Sequence, residues 1–345
     1  MQTIGTPLLW GIFAVLVVLA LLVDLVWMRH GGPHRVTFRE AAGWSLAWVA
    51  LAMVFNLWLW WYTGQQLGPE AGDRIGMEFL TGYLVEKSLA VDNIFVFLMI
   101  FGYFAVPEVQ RQRVLVIGII IAVVLRAILI LAGAMLLARF HWILYLFGAF
   151  LLLTGVKMLL AAGKEPDLDS NPLLRWITRH VPMTRGYEGS ALSVLREGRR
   201  LYTPLFVVIV MIGITDVIFA VDSIPAIFAI TADPFIVLTS NVFAVLGLRA
   251  MFFLLQGMAD RFHLLPYGLA LVLMFIGGKM LLVDVYKVPI TVSLGVVVAT
   301  IGATIALSLL RPAKAGSPVL PSPDIHDEGQ GALKPGAKSA PDAGG

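Results

Sequence analysis

The chain has 345 residues, 59% hydrophobic and 14% charged, with a mean hydropathy of +0.87, a composition that excludes one or two ordinary soluble domains and a soluble enzyme with them. Cysteine is absent, which excludes disulfide scaffolds, thiolate metal sites and cysteine nucleophiles. The formal net charge is +3 and the pI about 9.2, but the basic residues are spread over many connectors, so they read as membrane topology and not as nucleic-acid binding.

Apolar stretches of at least roughly 17 residues, the length that crosses hydrocarbon, predict nine spans. The first, 7–28, is preceded by no Lys or Arg; lacking the basic start of a cleavable signal, it reads as a retained helix with its N-terminus outside. The second, 41–63, carries Trp58, Trp60 and Trp61 near its outer end, as an interfacial belt does. With their connectors these two helices make up residues 1–77. Spans 78–104, 113–138 and 141–162 form a second unit, residues 78–162. Its first helix carries Glu86, Lys87, Asp92 and Asn93, and its second carries Arg126.

Residues 163–203 are a basic connector. Leu173, Leu174, Trp176, Ile177 and Val181, interleaved with Arg175 and Arg179, suggest a short interfacial helix after Asn171-Pro172; a solvated basic loop near anionic lipid is the alternative. Spans 204–230, 235–256 and 264–283 form a third unit, residues 204–283, carrying Asp216, Asp222, Ser223, Asn241 and Arg249. A last span, 289–310, lies in residues 284–310. Residues 311–345 hold six prolines among small polar residues, a composition that predicts disorder.

The two three-helix units repeat each other. Ala90-Val91-Asp92 with Ile94 recurs as Ala220-Val221-Asp222 with Ile224, 130 residues on, and Leu125-Arg126-Ala127 recurs as Leu248-Arg249-Ala250. Gly155 and Lys157-Met158-Leu159-Leu160 recur as Gly277 and Lys279-Met280-Leu281-Leu282, 122 residues on. An odd number of spans per copy makes the second copy enter the membrane from the opposite side, the inverted-repeat arrangement of many secondary transporters. The expected fold is therefore all-α, with about nine transmembrane helices and two inverted three-helix repeats. With the N-terminus outside, seventeen cations fall in cytoplasmic segments and three in outer ones, which favours that orientation, a cytoplasmic C-terminus and the inner (plasma) membrane.

The acids inside the spans are costly, at least ~2.5 kcal/mol each at a helix centre, and so imply neutralisation, partners or a resident cation. Counted from the outer ends, Glu86 lies level with Asp222, and Asp92 with Asp216, the two levels being roughly 9 Å apart. Pro225, three residues after Asp222, is expected to kink or unwind its helix and free a carbonyl, or simply to be an ordinary membrane proline kink. Carboxylates, Asn93, Asn241, Ser223 and carbonyls make an oxygen-donor set suited to Mg²⁺, Ca²⁺ or Mn²⁺. Arg126 and Arg249 are expected to compensate the acids when the site is empty, or to form permanent ion pairs.

The run Glu86-Lys87-Ser88-Leu89-Ala90-Val91-Asp92-Asn93, then Thr215-Asp216-Val217-Ile218-Phe219-Ala220-Val221-Asp222-Ser223-Ile224-Pro225-Ala226, then Thr239-Ser240-Asn241 through Leu248-Arg249-Ala250, resembles the TerC/Alx family. The resemblance implies an integral membrane protein linked to tellurium resistance and manganese efflux, with a fold related to LysE-type exporters. It also implies that Glu86, Asp92, Asn93, Asp216, Asp222, Ser223 and Asn241 are the polar intramembrane positions; Lys87, Arg126 and Arg249 are the gating or charge-compensating groups expected from their place in the spans. Similar members often have Glu where this chain has Gly213, a departure that bears on metal stoichiometry and coupling. The function expected is export of Mn²⁺ or a similar hard divalent cation by alternating access, with no permanently bound cofactor, the lipid bilayer as environment and no nucleic-acid partner. The other readings are a membrane scaffold of tellurium resistance without transport, or an intramembrane aspartyl protease, for which the G-x-G-D pattern is missing.

Overall fold

The computed structural model describes residues 3–30, 36–140, 142–161, 176, 181–184, 186–196, 199–256 and 262–310; within these, the side chains of residues 27–30, 92 and 161 lie outside the description. The chain order is α1 (Pro7–His30), α2 (Phe38–Leu67), α3 (Pro69–Tyr103), α4 (Glu108–Arg139), α5 (Ile143–Ala161), a hairpin of β1 (Ser193–Arg196) and β2 (Arg199–Tyr202), then α6 (Pro204–Phe228), α7 (Pro234–Leu246), α8 (Leu248–Gln256), α9 (Leu265–Leu281) and α10 (Ile290–Leu310). Among the described residues, α1, α2, α4, α5, α6 and α10 are long and apolar enough to cross a membrane, and the pair α7 and α8, bent by 42°, adds a seventh candidate if it is one span. α9 is apolar but has 17 residues, and α3 has 35 residues interrupted by charges. The protein is thus a predominantly helical multi-pass membrane protein.

Local chemistry sets several helix ends. Thr37 and Glu40 close a reciprocal capping box at the start of α2, satisfying two otherwise orphaned backbone donors. Pro69, Pro204 and Pro234 sit in the first turns of α3, α6 and α7, where a missing N–H costs nothing. Gly68, the single residue between α2 and α3, has φ +97°, a conformation in which a side chain would be strained. The unwinding expected at Pro225 is absent, because α6 runs through it to Phe228. Pro225 lies within one turn of the helix end, so its missing donor disturbs little. The discontinuity lies instead at Gly247, between α7 and α8.

α3 is the central helix. Its residues enter all three buried apolar clusters, meeting α1, α2 and α7 in one, α4, α6 and α8 in a second, and α5, α6, α9 and α10 in the third. That position explains how a helix bearing Glu86 and Lys87 sits in an apolar protein: its charges face other helices. Apolar side chains point outward elsewhere, such as Leu153 of α5 and Met135 of α4, which are 69% and 68% exposed, as lipid contact allows.

Helix directions follow from the close contacts. Gly82 faces Ser240, and Lys87 reaches the carbonyl of Ala244, so α3 and α7 run the same way. Gly118 faces Ile212 and Gly133 faces Phe228, so α4 and α6 also run the same way. Gly148 lies against Met280 while Gly155 lies against Met274, so α5 and α9 are antiparallel. That last crossing is backbone on backbone. A Cβ on Gly277 would stand 2.7 Å from the Leu152 nitrogen, and one on Gly155 2.9 Å from the Ala270 carbonyl oxygen, the small-residue packing that lets membrane helices approach closely.

The connector holds the hairpin, paired antiparallel with Ser193 opposite Tyr202 and Arg196 opposite Arg199. Apart from Trp176 and Val181, the helix expected after Asn171-Pro172 falls outside the described residues, as does the tail 311–345. The described part of the connector clasps the α3–α4 turn: Tyr187 Oη donates to the Phe104 carbonyl at 2.7 Å, and Arg113 Nη1 donates to the Ser190 carbonyl at 2.9 Å. Ala105 in that turn has φ +46°, a strained value for a residue with a side chain.

Candidate functional site

Four helices meet around one guanidinium. Arg126, in the middle of α4, is 1% exposed. Its Nη2 donates to Asp216 Oδ1 at 3.1 Å and its Nε reaches Asp216 Oδ2 at 3.5 Å, a fork-on-fork geometry with α6. Its Nη1 forms an ion pair with Glu86 Oε1 of α3 and donates to Asn241 Oδ1 of α7 at 3.2 Å. Glu86 and Asn241 are wholly buried, and Asp216 is 2% exposed. Glu86 Oε2 and Asn241 Nδ2 have no hydrogen-bond partner among the described residues.

The charge count decides what this arrangement can do. With both carboxylates ionised, one guanidinium leaves the cluster one positive charge short in a low-dielectric, water-poor interior, where uncompensated charge is expensive. A proton or a cation removes the deficit. Arg126 thus occupies the place where the oxygen donors Glu86, Asp216 and Asn241 converge. Among the described residues no three Asp, Glu or His side chains are gathered into a metal cluster.

The other expected site residues lie around this centre or away from it. Asp92 belongs to α3, but its side chain lies outside the described residues. Asn93 is buried on the same helix, and Ser223 of α6 is buried with an Oγ that has no hydrogen-bond partner among the described residues. Asp222 turns the other way, accepting a hydrogen bond from Thr154 Oγ1 of α5 at 3.3 Å, with Lys157 near enough to act on it electrostatically. Its separation from Asp216 by six residues, about 120° around the helix axis, places the two on different sides of α6. Arg126 joins Glu86 to Asp216, whereas counting by depth set Glu86 level with Asp222. The two acids that do meet are 130 residues apart, the offset of the repeat itself.

The basic residues divide. Lys87 donates to the Ala244 carbonyl at 3.1 Å and lies over the Tyr83 ring, 5.9 Å from its centroid. Ala244 is one turn before the break at Gly247, so the ammonium satisfies a carbonyl that the bend withdraws from the helix ladder. Arg249 bonds an acid outside the expected set. Its Nε and Nη2 donate to Asp24 Oδ1 of α1 at 3.1 and 2.6 Å, and both residues are buried. Asp24 was not singled out by the sequence reading, although a lone acid within the first apolar span was a sufficient signal.

The Integral membrane protein TerC family matches residues 71–315. Among curated proteins, the chain is 54% identical to a Salmonella typhi protein over 89% of this chain and 96% of that one, and 56% identical to an Escherichia coli K12 protein over 86% and 92%. Both are named "Putative membrane-bound redox modulator Alx". An uncharacterised membrane protein of Myxococcus xanthus is 47% identical over 90% of this chain and 94% of that one. No solved structure matches.

Proposed function

The chain belongs to the TerC family of integral membrane proteins, and on that premise we propose that it is a transporter, not an enzyme, exporting Mn²⁺ or a similar hard divalent cation through the Glu86–Asp216–Asn241 centre. The observation that carries this reading is the buried cluster of two carboxylates around a single guanidinium. It is short of one positive charge, lined by oxygen donors, and placed where four helices of a membrane protein meet. Hard oxygen donors without thiols suit Mn²⁺, Mg²⁺ or Ca²⁺ better than Cu⁺. An incoming cation competes with Arg126 for the acids, and a proton taken up by one of them releases it. Asn93 and Ser223, buried on α3 and α6, extend the path.

Alternating access by two inverted repeats supplies the motion, and the contacts support that reading through their exchange symmetry. Gly155 against Ala270 in one direction is matched by Gly277 against Gly148 in the other, both at the 122-residue offset. Gly82 against Ser240 is matched by Ile212 against Gly118, through the offsets of the first and second helices to within a residue. Nine spans result if α3, the bent α7–α8 pair and α9 each cross once. The N-terminus then lies outside the inner membrane and the C-terminus in the cytoplasm. The relatives' name as redox modulators points to a second reading, a link to cellular redox state. With no cysteine in the chain that link cannot run through its own thiols; metal supply is the route this chemistry offers.

Proteoliposome flux tests the proposal. Wild-type protein should carry Mn²⁺ under an imposed pH gradient, while Glu86→Gln and Asp216→Asn should lose that flux with the protein still folded in the bilayer. Undiminished flux in both variants, or none in the wild type under any gradient, would remove the transporter reading.

A further inference from the structure

α1 is one unbroken helix of 24 residues, and it is fastened on both sides of the break at Gly247. Just ahead of it, Thr3 Oγ1 donates to Asp233 Oδ1 at 2.8 Å and the Ile4 N–H donates to Asp233 Oδ2 at 2.7 Å. The same carboxylate caps α7, accepting from the Phe235 N–H at 2.8 Å. Along the helix, Trp10 meets Phe235 edge-on with ring centroids 4.9 Å apart, and Phe13 meets Phe243 at 6.0 Å. Beyond the break, Asp24 accepts from Arg249 of α8. In each of these contacts with α1 and its leading residues the partner lies 225 to 230 residues further along the chain, so α1 runs parallel to both halves of the bent pair and bridges the bend. That bend has no counterpart in α4, which holds the same place in the first repeat and is continuous from Glu108 to Arg139. α1 itself precedes both repeats and the segment matched to the family, residues 71–315.

We propose that α1 is a splint for the bent α7–α8 pair: fastened on both sides of Gly247, it fixes the angle between the two halves and with it the reach of Asn241 toward Arg126. A broken helix has lost part of its hydrogen-bond ladder and pivots at the break. A continuous helix tied to both halves opposes that pivot, because a change of angle must stretch one fastening or the other. The two fastenings also depend on each other, since closing one makes the other an intramolecular event. Asn241 stands on α7, six residues before Gly247, and accepts from Arg126 at 3.2 Å, so a fixed angle holds an oxygen donor at the centre. The splint follows from these contacts alone; its part in transport rests on the transporter reading above.

The test is amide exchange at residues 244–250, read by mass spectrometry on the full chain in nanodiscs. Thr3→Val/Ile4→Pro removes both donors to Asp233 and leaves its cap on α7 intact, at a point 14 residues from the break. Leu19→Pro, at a position 52% exposed, kinks α1 between its fastenings and leaves both sets of donors in place. Each should quicken exchange at the break about tenfold or more, the change expected on losing one hydrogen bond to a charged group. Combined, they should add no more than about twofold to either alone, because a splint cut once no longer transmits; independent anchors would multiply to about a hundredfold. If one variant does not fold, the other decides. A break that exchanges as in wild type in the folded variants, or a multiplied effect in the combination, overturns the splint. Mn²⁺ flux through the same proteins separates the two readings. Quickened exchange with flux undiminished overturns the splint's part in transport, whereas quickened exchange in a chain whose wild type carries no Mn²⁺ leaves the splint standing and removes the transporter reading instead.

Discussion

Replacing Arg126 with glutamine removes the positive charge at the centre and leaves Glu86 and Asp216 facing each other, both buried. Removing one partner of a buried ion pair costs about 3–5 kcal/mol, because the remaining charge keeps its desolvation penalty. At about 2 °C per kcal/mol for a chain of this size, metal-free Arg126→Gln should melt about 6–10 °C below wild type in detergent. The vacated place is then open to a cation. Mn²⁺ at a hundred times its Kd should return about 2.7 kcal/mol, or about 5 °C, to the variant. The same concentration should shift wild type less, since the metal must first displace the guanidinium. Arg126→Gln/Glu86→Gln/Asp216→Asn carries no buried charge at the centre and should not respond to Mn²⁺. Differential scanning fluorimetry with and without Mn²⁺ reads all three proteins. A deficit in Arg126→Gln that Mn²⁺ leaves unaltered, or an equal Mn²⁺ shift in the triple variant, would refute the idea that Arg126 and the cation share one place.

Other outcomes follow from individual contacts. Gly277→Leu should separate α5 from α9 and lower stability by about 1–3 kcal/mol through overpacking, whereas Gly11→Ala, with no atom within 4 Å of the added Cβ, should be close to neutral; thermal unfolding of the purified proteins compares them. Lys87→Met leaves the Ala244 carbonyl without its charged donor and should cost about 1.5–3 kcal/mol, seen as faster amide exchange around the α7–α8 break. Tyr187→Phe loses the hydrogen bond to the Phe104 carbonyl, about 1 kcal/mol, and should raise exchange at the α3–α4 turn while leaving the melting of the helical core nearly unchanged.

The repeat was the most informative feature of the sequence, because it is written in charged residues that few membrane helices carry. The offset that aligns Ala90-Val91-Asp92 with Ala220-Val221-Asp222 also aligns Glu86 with Asp216, the two acids that meet. Depth along a helix was a poorer guide, since what joins the acids is the long Arg126 side chain that reaches both. Asp222 faces Thr154 because of where α5 packs, and nothing local to α6 encodes that neighbour. The break at Gly247 was equally hidden: a glycine in an apolar run reads as helix, while Pro225, the stronger local breaker, falls so near the end of α6 that the helix absorbs it. Arg249 finds Asp24 across 225 residues of chain, a separation beyond the reach of periodicity or propensity.

The Asp24–Arg249 pair also sets an order of assembly. Asp24 is made first and its partner 225 residues later, so at about 5–20 residues per second the ribosome leaves that carboxylate waiting roughly eleven to forty-five seconds. During that interval the first helix carries an acid that the bilayer disfavours, with nothing to neutralise it but a proton or the interfacial water. Its final docking is therefore among the last steps of biogenesis, and a nascent chain released before residue 249 should leave this helix unanchored and open to quality-control proteolysis.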